Sequence, residues 1–196
     1  MNRLILKFAL YSFIVSTLTS CALTNSVQSI NYSPSLTISD KLPSSKQVKL
    51  EPMKDERGYD DERIIFYKKN MYSQTMSGTY LAENPVTEIL LNAIENGLKE
   101  KGIQYNSQHE DLILKSWLIK LDCEAISGFA SVQMIPEITV KFQLLDNNNK
   151  VIWTDILVGK VKTKGGSFKE FMPPAIDALV MKLVENQAFL NAISTN

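Results

Sequence analysis

Histidine and cysteine are nearly absent. The 196 residues include one histidine, His109, and two cysteines, Cys21 and Cys123. A structural zinc site takes four ligands from Cys and His, so no metal is expected. A thiol nucleophile needs an adjacent base. His109 lies in the polar run Asn106–Asp111, which reads as a loop. Cys123 falls instead in an apolar-alternating stretch and reads as a small buried hydrophobe. Excess charge is also missing, because 21 basic side chains balance 21 acidic ones. With no basic stripe interleaved with aromatics, a nucleic-acid partner is not expected. No apolar run approaches the roughly 20 residues that span a bilayer. "GKVKTKGG" lacks the glycine spacing of a phosphate-binding loop, and no cofactor is expected.

The N-terminus does have a distinct pattern. Arg3 and Lys7 precede an apolar stretch, Phe8–Leu18, interrupted only by small polar residues and Tyr11. This is the layout of a secretory signal: a cationic start and an apolar core of about 7–15 residues. Leu18-Thr19-Ser20-Cys21 follows. It resembles the lipobox of bacterial lipoproteins, with a branched aliphatic residue, two small residues and then cysteine. The resemblance implies cleavage between Ser20 and Cys21, diacylglycerol on the Cys21 sulfur and a further acyl chain, such as palmitate, on the new amino group. Two or more chains anchor stably where one binds marginally. Ala22 follows the cysteine. The absence of Asp there resembles the outer-membrane default of enterobacterial-type sorting, with inner-membrane retention as the alternative.

Three regions are expected: a signal peptide over 1–20, a lipidated cysteine and tether over 21–47, and one periplasm-facing domain over 48–196. The tether is rich in Ser, Thr and Asn. Short alternations, Ile30-Asn31-Tyr32 and Leu36-Thr37-Ile38, suggest that part of it lies on a sheet edge. Val48–Met53 alternates as a strand that Pro52 ends or confines to an edge. The charged loop "KDERGYDDER" over 54–63 does not have the spacing of a calcium-binding loop. Ile64–Tyr67 reads as a short strand, and 68–81 as strand or extended loop.

Asn84–Lys101 predicts a helix, with Asn84 as cap and Pro85 first inside. Val86, Ile89, Leu90, Ala93, Ile94, Gly97 and Leu98 form one apolar stripe. Gly97 is expected to permit close packing against a sheet, and Gly102 to end the helix. Three strands follow, over 111–124, 137–145 and 151–162. A turn lies around Gly128 and an Asn-rich hairpin loop over 146–150. A second helix over 173–187 places Pro173-Pro174 in its first turn, and Phe189–Ile193 suggests a further helical turn. The fold class is therefore α+β: an antiparallel sheet with a C-terminal three-strand meander and two amphipathic helices on one face.

The order of these elements resembles the YajG-type uncharacterised bacterial lipoproteins. The shared features are the lipobox, "YSPSLTI", a first strand followed by Asp55-Glu56-Arg57, the helix "ILLNAIENGLKEKG", the meander with its Asn-rich hairpin, and a last amphipathic helix. The segment 59–81 is a longer insertion than that pattern has. The resemblance implies an outer-membrane lipoprotein facing the periplasm, and no activity. Asp55 and Arg57 are read as a polar turn that holds a strand end.

The expected function is binding, as an accessory subunit beside an envelope protein partner, not catalysis. A transport-auxiliary lipoprotein that handles lipid is the alternative. A hydrolase using Asp55, Asp60, Asp61 or Glu62 is weaker, because glycosidase acids need two fixed positions across a cleft.

Overall fold

A computed structural model describes residues 23–30, 32, 38, 41–42, 46–70, 72, 74–104, 111–127 and 132–194. The expected signal peptide over 1–20, Cys21, Pro34, His109 and Gly128 lie outside these residues.

The meander is the spine. β6 (Leu112–Ser127), β7 (Val132–Asp146) and β8 (Val151–Lys160) pair antiparallel in sequence order. Strict alternation places Ile138, Val140, Phe142 and Leu144 of β7 on one face, each fully buried. β6 and β7 run further than expected, to Ser127 and from Val132. Asn149, at φ 60°, takes the left-handed position of the β7–β8 hairpin, a conformation Asn tolerates.

Two short strands extend the sheet with a sense that periodicity does not reveal. β2 (Val48–Leu50) and β3 (Lys54–Asp55) both pair parallel to β6. Pro52 sits between them, where its missing N–H removes no ladder bond. A second, three-stranded sheet has β5 (Thr75–Ala82) in its centre. β4 (Ile64–Lys69) lies antiparallel on one side and β1 (Ser26–Gln28) parallel on the other. The ambiguous 68–81 region is thus mostly strand.

Among the described residues, three helices cover the core. α1 (Val86–Lys101) starts one residue later than expected, with Pro85 in the cap position. Its first N–H donates to the Glu62 carbonyl at 3.1 Å. Gly102, at φ 86°, closes it in the left-handed conformation. A Cβ on Gly97 would lie 2.1 Å from Val180 Cγ1, so this glycine admits the neighbouring helix rather than the sheet.

α2 (Phe168–Val184) departs most from expectation, because Pro173 and Pro174 lie inside it, in its second turn. Each removes a ladder bond and crowds a carbonyl one turn back, a cost of about 3 kcal/mol for an interior proline. Two features offset this. Ser167 and Glu170 form a reciprocal capping box. The added turn also buries Phe168 and Phe171 in an aromatic cluster: Phe168 stacks on Phe66 at 5.6 Å and meets Tyr80 at 5.0 Å. Buried aromatics of this kind contribute about 1.5–3 kcal/mol each. α3 (Gln187–Ser194) completes the fold and packs Phe189 against Trp153 at 4.9 Å.

The described residues of 23–42 lie on the domain. Ile30 is buried in the core. The Tyr32 hydroxyl donates to Asp177 Oδ1 at 2.6 Å, and the Leu42 N–H to the Lys101 carbonyl at 2.8 Å. Burial first, then the Asp177 carboxylate, pushes the Tyr32 phenol far above its ordinary range.

Candidate functional site

The two sheets meet along β4 and β6. Parallel pairing puts Asp55 beside Leu118, and the chain then turns through Arg57 back toward β4. Arg57 fills the junction. Its Nε and Nη2 donate to the two Asp55 oxygens at 2.9 and 2.5 Å, a bidentate fork. Nη1 donates to the Ile64 and Ile65 carbonyls at 2.5 and 3.1 Å. The side chains of Arg57 and Asp55 are only 2% and 7% exposed. Burial pushes the Asp55 carboxyl up, but the Arg57 hydrogen bonds and charge hold it below the ordinary range. The Arg57 guanidinium also lies 4.8 Å from the Tyr59 ring centroid, and Tyr59 meets Tyr67 edge-on at 5.4 Å. Arg57 is thus committed to the frame, with its fork directed at Asp55 and backbone carbonyls.

A groove opens beside this junction. It encloses about 650 Å³ and is lined by Lys69, Lys120, Asp122, Cys123, Glu137 and Lys160, among others. A smaller recess of about 310 Å³ shares Lys69, Lys120 and Asp122 and adds Arg57, Tyr59 and Tyr67. The register explains the charges. Asp122 pairs with Glu137 across β6–β7, and Glu137 with Lys160 across β7–β8. Two carboxylates directly opposite repel, and three lysines compensate. Lys120 and Lys160 each donate to one oxygen of Glu137 at 2.6 Å. Lys69 donates to both oxygens of Asp122 at 2.8 and 2.7 Å. Hydrogen bonds from Lys120 and then Lys160 hold the Glu137 carboxyl below its ordinary range. With both oxygens engaged and the group held ionised, Glu137 is a poor proton donor.

Cys123 lines the groove floor but is 7% exposed. Burial pushes its thiol up to about 11, opposite to the shift an activated nucleophile needs. The acids considered for hydrolysis are dispersed: Asp55 lies under Arg57, Asp61 pairs with Arg63 at 2.7 Å, and Asp60 and Glu62 are exposed. No metal-ligand cluster is found among the described residues. No described helix is long and apolar enough to cross a membrane. The groove lysines escaped the sequence reading because β4 and β6 lie some fifty residues apart, and no local motif joins Lys69 to Asp122.

The molecule belongs to the α+β class in which helices cover one side of an antiparallel meander. The same fold occurs in a solved structure of protein XCC0632 from Xanthomonas campestris, described under the family DUF330. The TM-score is 0.57 at 13% identity, over 86% of this chain and 95% of that one. Looser matches are a PelC dodecamer from Paraburkholderia phytofirmans (TM-score 0.43, 14% identity, 81% and 93% covered) and a minor lipoprotein from Acinetobacter baumannii (0.43, 13%, 73% and 92%). No protein-family model and no curated protein matches the sequence.

Proposed function

We propose that this chain is a bacterial envelope lipoprotein, anchored through acyl chains on Cys21, that works by binding rather than catalysis. The observation that carries this reading is Leu18-Thr19-Ser20-Cys21 behind a cationic start and a short apolar core. Ala22 supports an outer-membrane position facing the periplasm, as the YajG-type resemblance implies. The groove supports the non-catalytic part: its lysines and carboxylates neutralise one another, and its one thiol is buried and protonated. An envelope protein partner fits such a surface better than a lipid chain, because the lining is charged where a lipid-handling groove would be apolar.

The test is Cys21→Ser in the full chain, followed by separation of membrane and soluble fractions. The wild type is expected in the membrane fraction, with the outer membrane on a density gradient. The variant is expected in the soluble fraction. Retention of Cys21→Ser on membranes would refute the anchor.

A further inference from the structure

We infer that the tip of the β4–β5 hairpin, with Tyr72 and Leu23, rests on the surface of the bilayer that holds Cys21. This rests on the lipid anchor proposed above and adds an orientation to it.

The chain leaves the anchor with almost no slack. Lys68 Nζ donates to the Thr24 carbonyl at 2.8 Å, and the Thr79 N–H donates to Asn25 Oδ1 at 3.0 Å. β1 then pairs with β5 from Ser26 opposite Tyr80. Fastening therefore begins three residues after Cys21, a reach of at most about 10 Å in a fully extended chain. A 27-residue tether would have let the domain drift. The observed contacts leave a leash of about three residues.

The fastening point lies at one end of the molecule. β1 runs parallel to β5, so its N-terminal side points toward Thr75 and the β4–β5 turn. That turn is braced. Asn70 Oδ1 accepts the N–H groups of Tyr72 and Gln74 at 2.9 and 3.0 Å, and Asn70 Nδ2 donates to Gln74 Oε1 at 2.8 Å. The brace holds out Tyr72, which is 76% exposed. Leu23, on the side of Thr24 that points toward this turn, is 54% exposed. A tyrosine and an aliphatic side chain beside lysines, here Lys68 and Lys69, are the composition of a membrane-water interface. The Lys69–Asp122 pair sets this tip toward the Ser127 end of β6, where Ile126 and Val132 are also exposed. The opposite end carries the polar Asp146–Lys150 turn. Ten residues of β6 separate Asp122 from Leu112, about 33 Å at the strand rise.

The experiment uses the full lipidated chain with a fluorophore on Tyr72→Cys or, for comparison, Asn148→Cys. Both positions are exposed, and buried Cys123 contributes little background. Each protein is reconstituted into phosphatidylethanolamine–phosphatidylglycerol vesicles with nitroxide at headgroup depth. Quenching several-fold stronger at position 72 than at position 148 is expected. Equal quenching at both, or none at 72, while the protein floats with the vesicles would overturn the orientation and leave the anchor intact. Failure to float would remove the anchor, and this inference with it. If a soluble quencher reaches position 72 in the vesicles but not in native membranes, a protein partner covers the tip, which also overturns the inference.

Discussion

Arg57→Ala is expected to cost about 3–5 kcal/mol of folding stability, the usual loss when one partner of a buried ion pair is removed. The magnitude follows from what remains. Asp55, 7% exposed, would keep its charge without a counter-ion, and the Ile64 and Ile65 carbonyls would lose their donor. For a domain of this size, 1 kcal/mol is worth about 2–4 °C in Tm. Urea denaturation of the Cys21→Ser chain measures the loss. A loss below about 1 kcal/mol would place the pair in the solvated class and refute its structural role. Replacing Asp55 and Arg57 together with apolar residues of similar size is expected to recover much of the loss, since the stranded charge goes with its partner.

The same pair gives a pH dependence. The Asp55 carboxyl titrates below its ordinary value of 3.8 in the folded chain, and Glu137 below 4.5. Depressed folded values mean that the unfolded state binds protons first as pH falls. The stabilisation is therefore present in full above about pH 5, and is lost as pH falls through 4.5 and then through the folded values. Wild type is expected to lose stability in this range more steeply than Arg57→Ala. Parallel profiles for the two proteins would show that Asp55 is not the group responsible.

Gly159→Ala is the second large effect, expected at about 3 kcal/mol or more, above the common range for overpacking. A Cβ at this position would sit 2.2 Å from the Ala175 carbonyl oxygen, 2.7 Å from Leu179 Cβ and 2.9 Å from the Leu179 N. Two of these are backbone atoms of α2, which cannot turn aside as a side-chain tip can. The helix would have to lift off β8 and open the core around Leu179 and Leu183, both fully buried. Gly58→Ala is the comparison. Nothing lies within 4 Å of its Cβ, and only its φ of +76° opposes the change, a penalty of about 1–2 kcal/mol. If the two variants unfold at the same urea concentration, α2 does not press on β8 as described.

The feature behind the proposed function was legible in the sequence. The lipobox-like run at 18–21 is a local pattern, as any segment read by a processing enzyme would have to be. The groove is not local: Lys69, Lys120, Asp122, Glu137 and Lys160 come from four strands, and only pairing and register bring them together. Arg57 falls between these cases. Its spacing from Asp55 marked a polar turn, but its burial depends on β4 returning to close over it.

The sequence by itself determined the elements whose signal repeats along the chain: the two-residue alternation of β7, the three-and-four spacing of α1 and its glycine stop. Such periodicities reflect burial on one face, and a face is a property of neighbouring residues. The tertiary structure decided whatever needed a distant partner. It joined β2 and β3 parallel to β6, and raised a second sheet from 26–82. It carried α2 back past two prolines to bury Phe168 and Phe171, and fastened 24–30 onto β5 and the core. In each case contacts between segments far apart outweighed a local preference, because the free energy of burial and pairing belongs to both partners and neither sequence alone displays it.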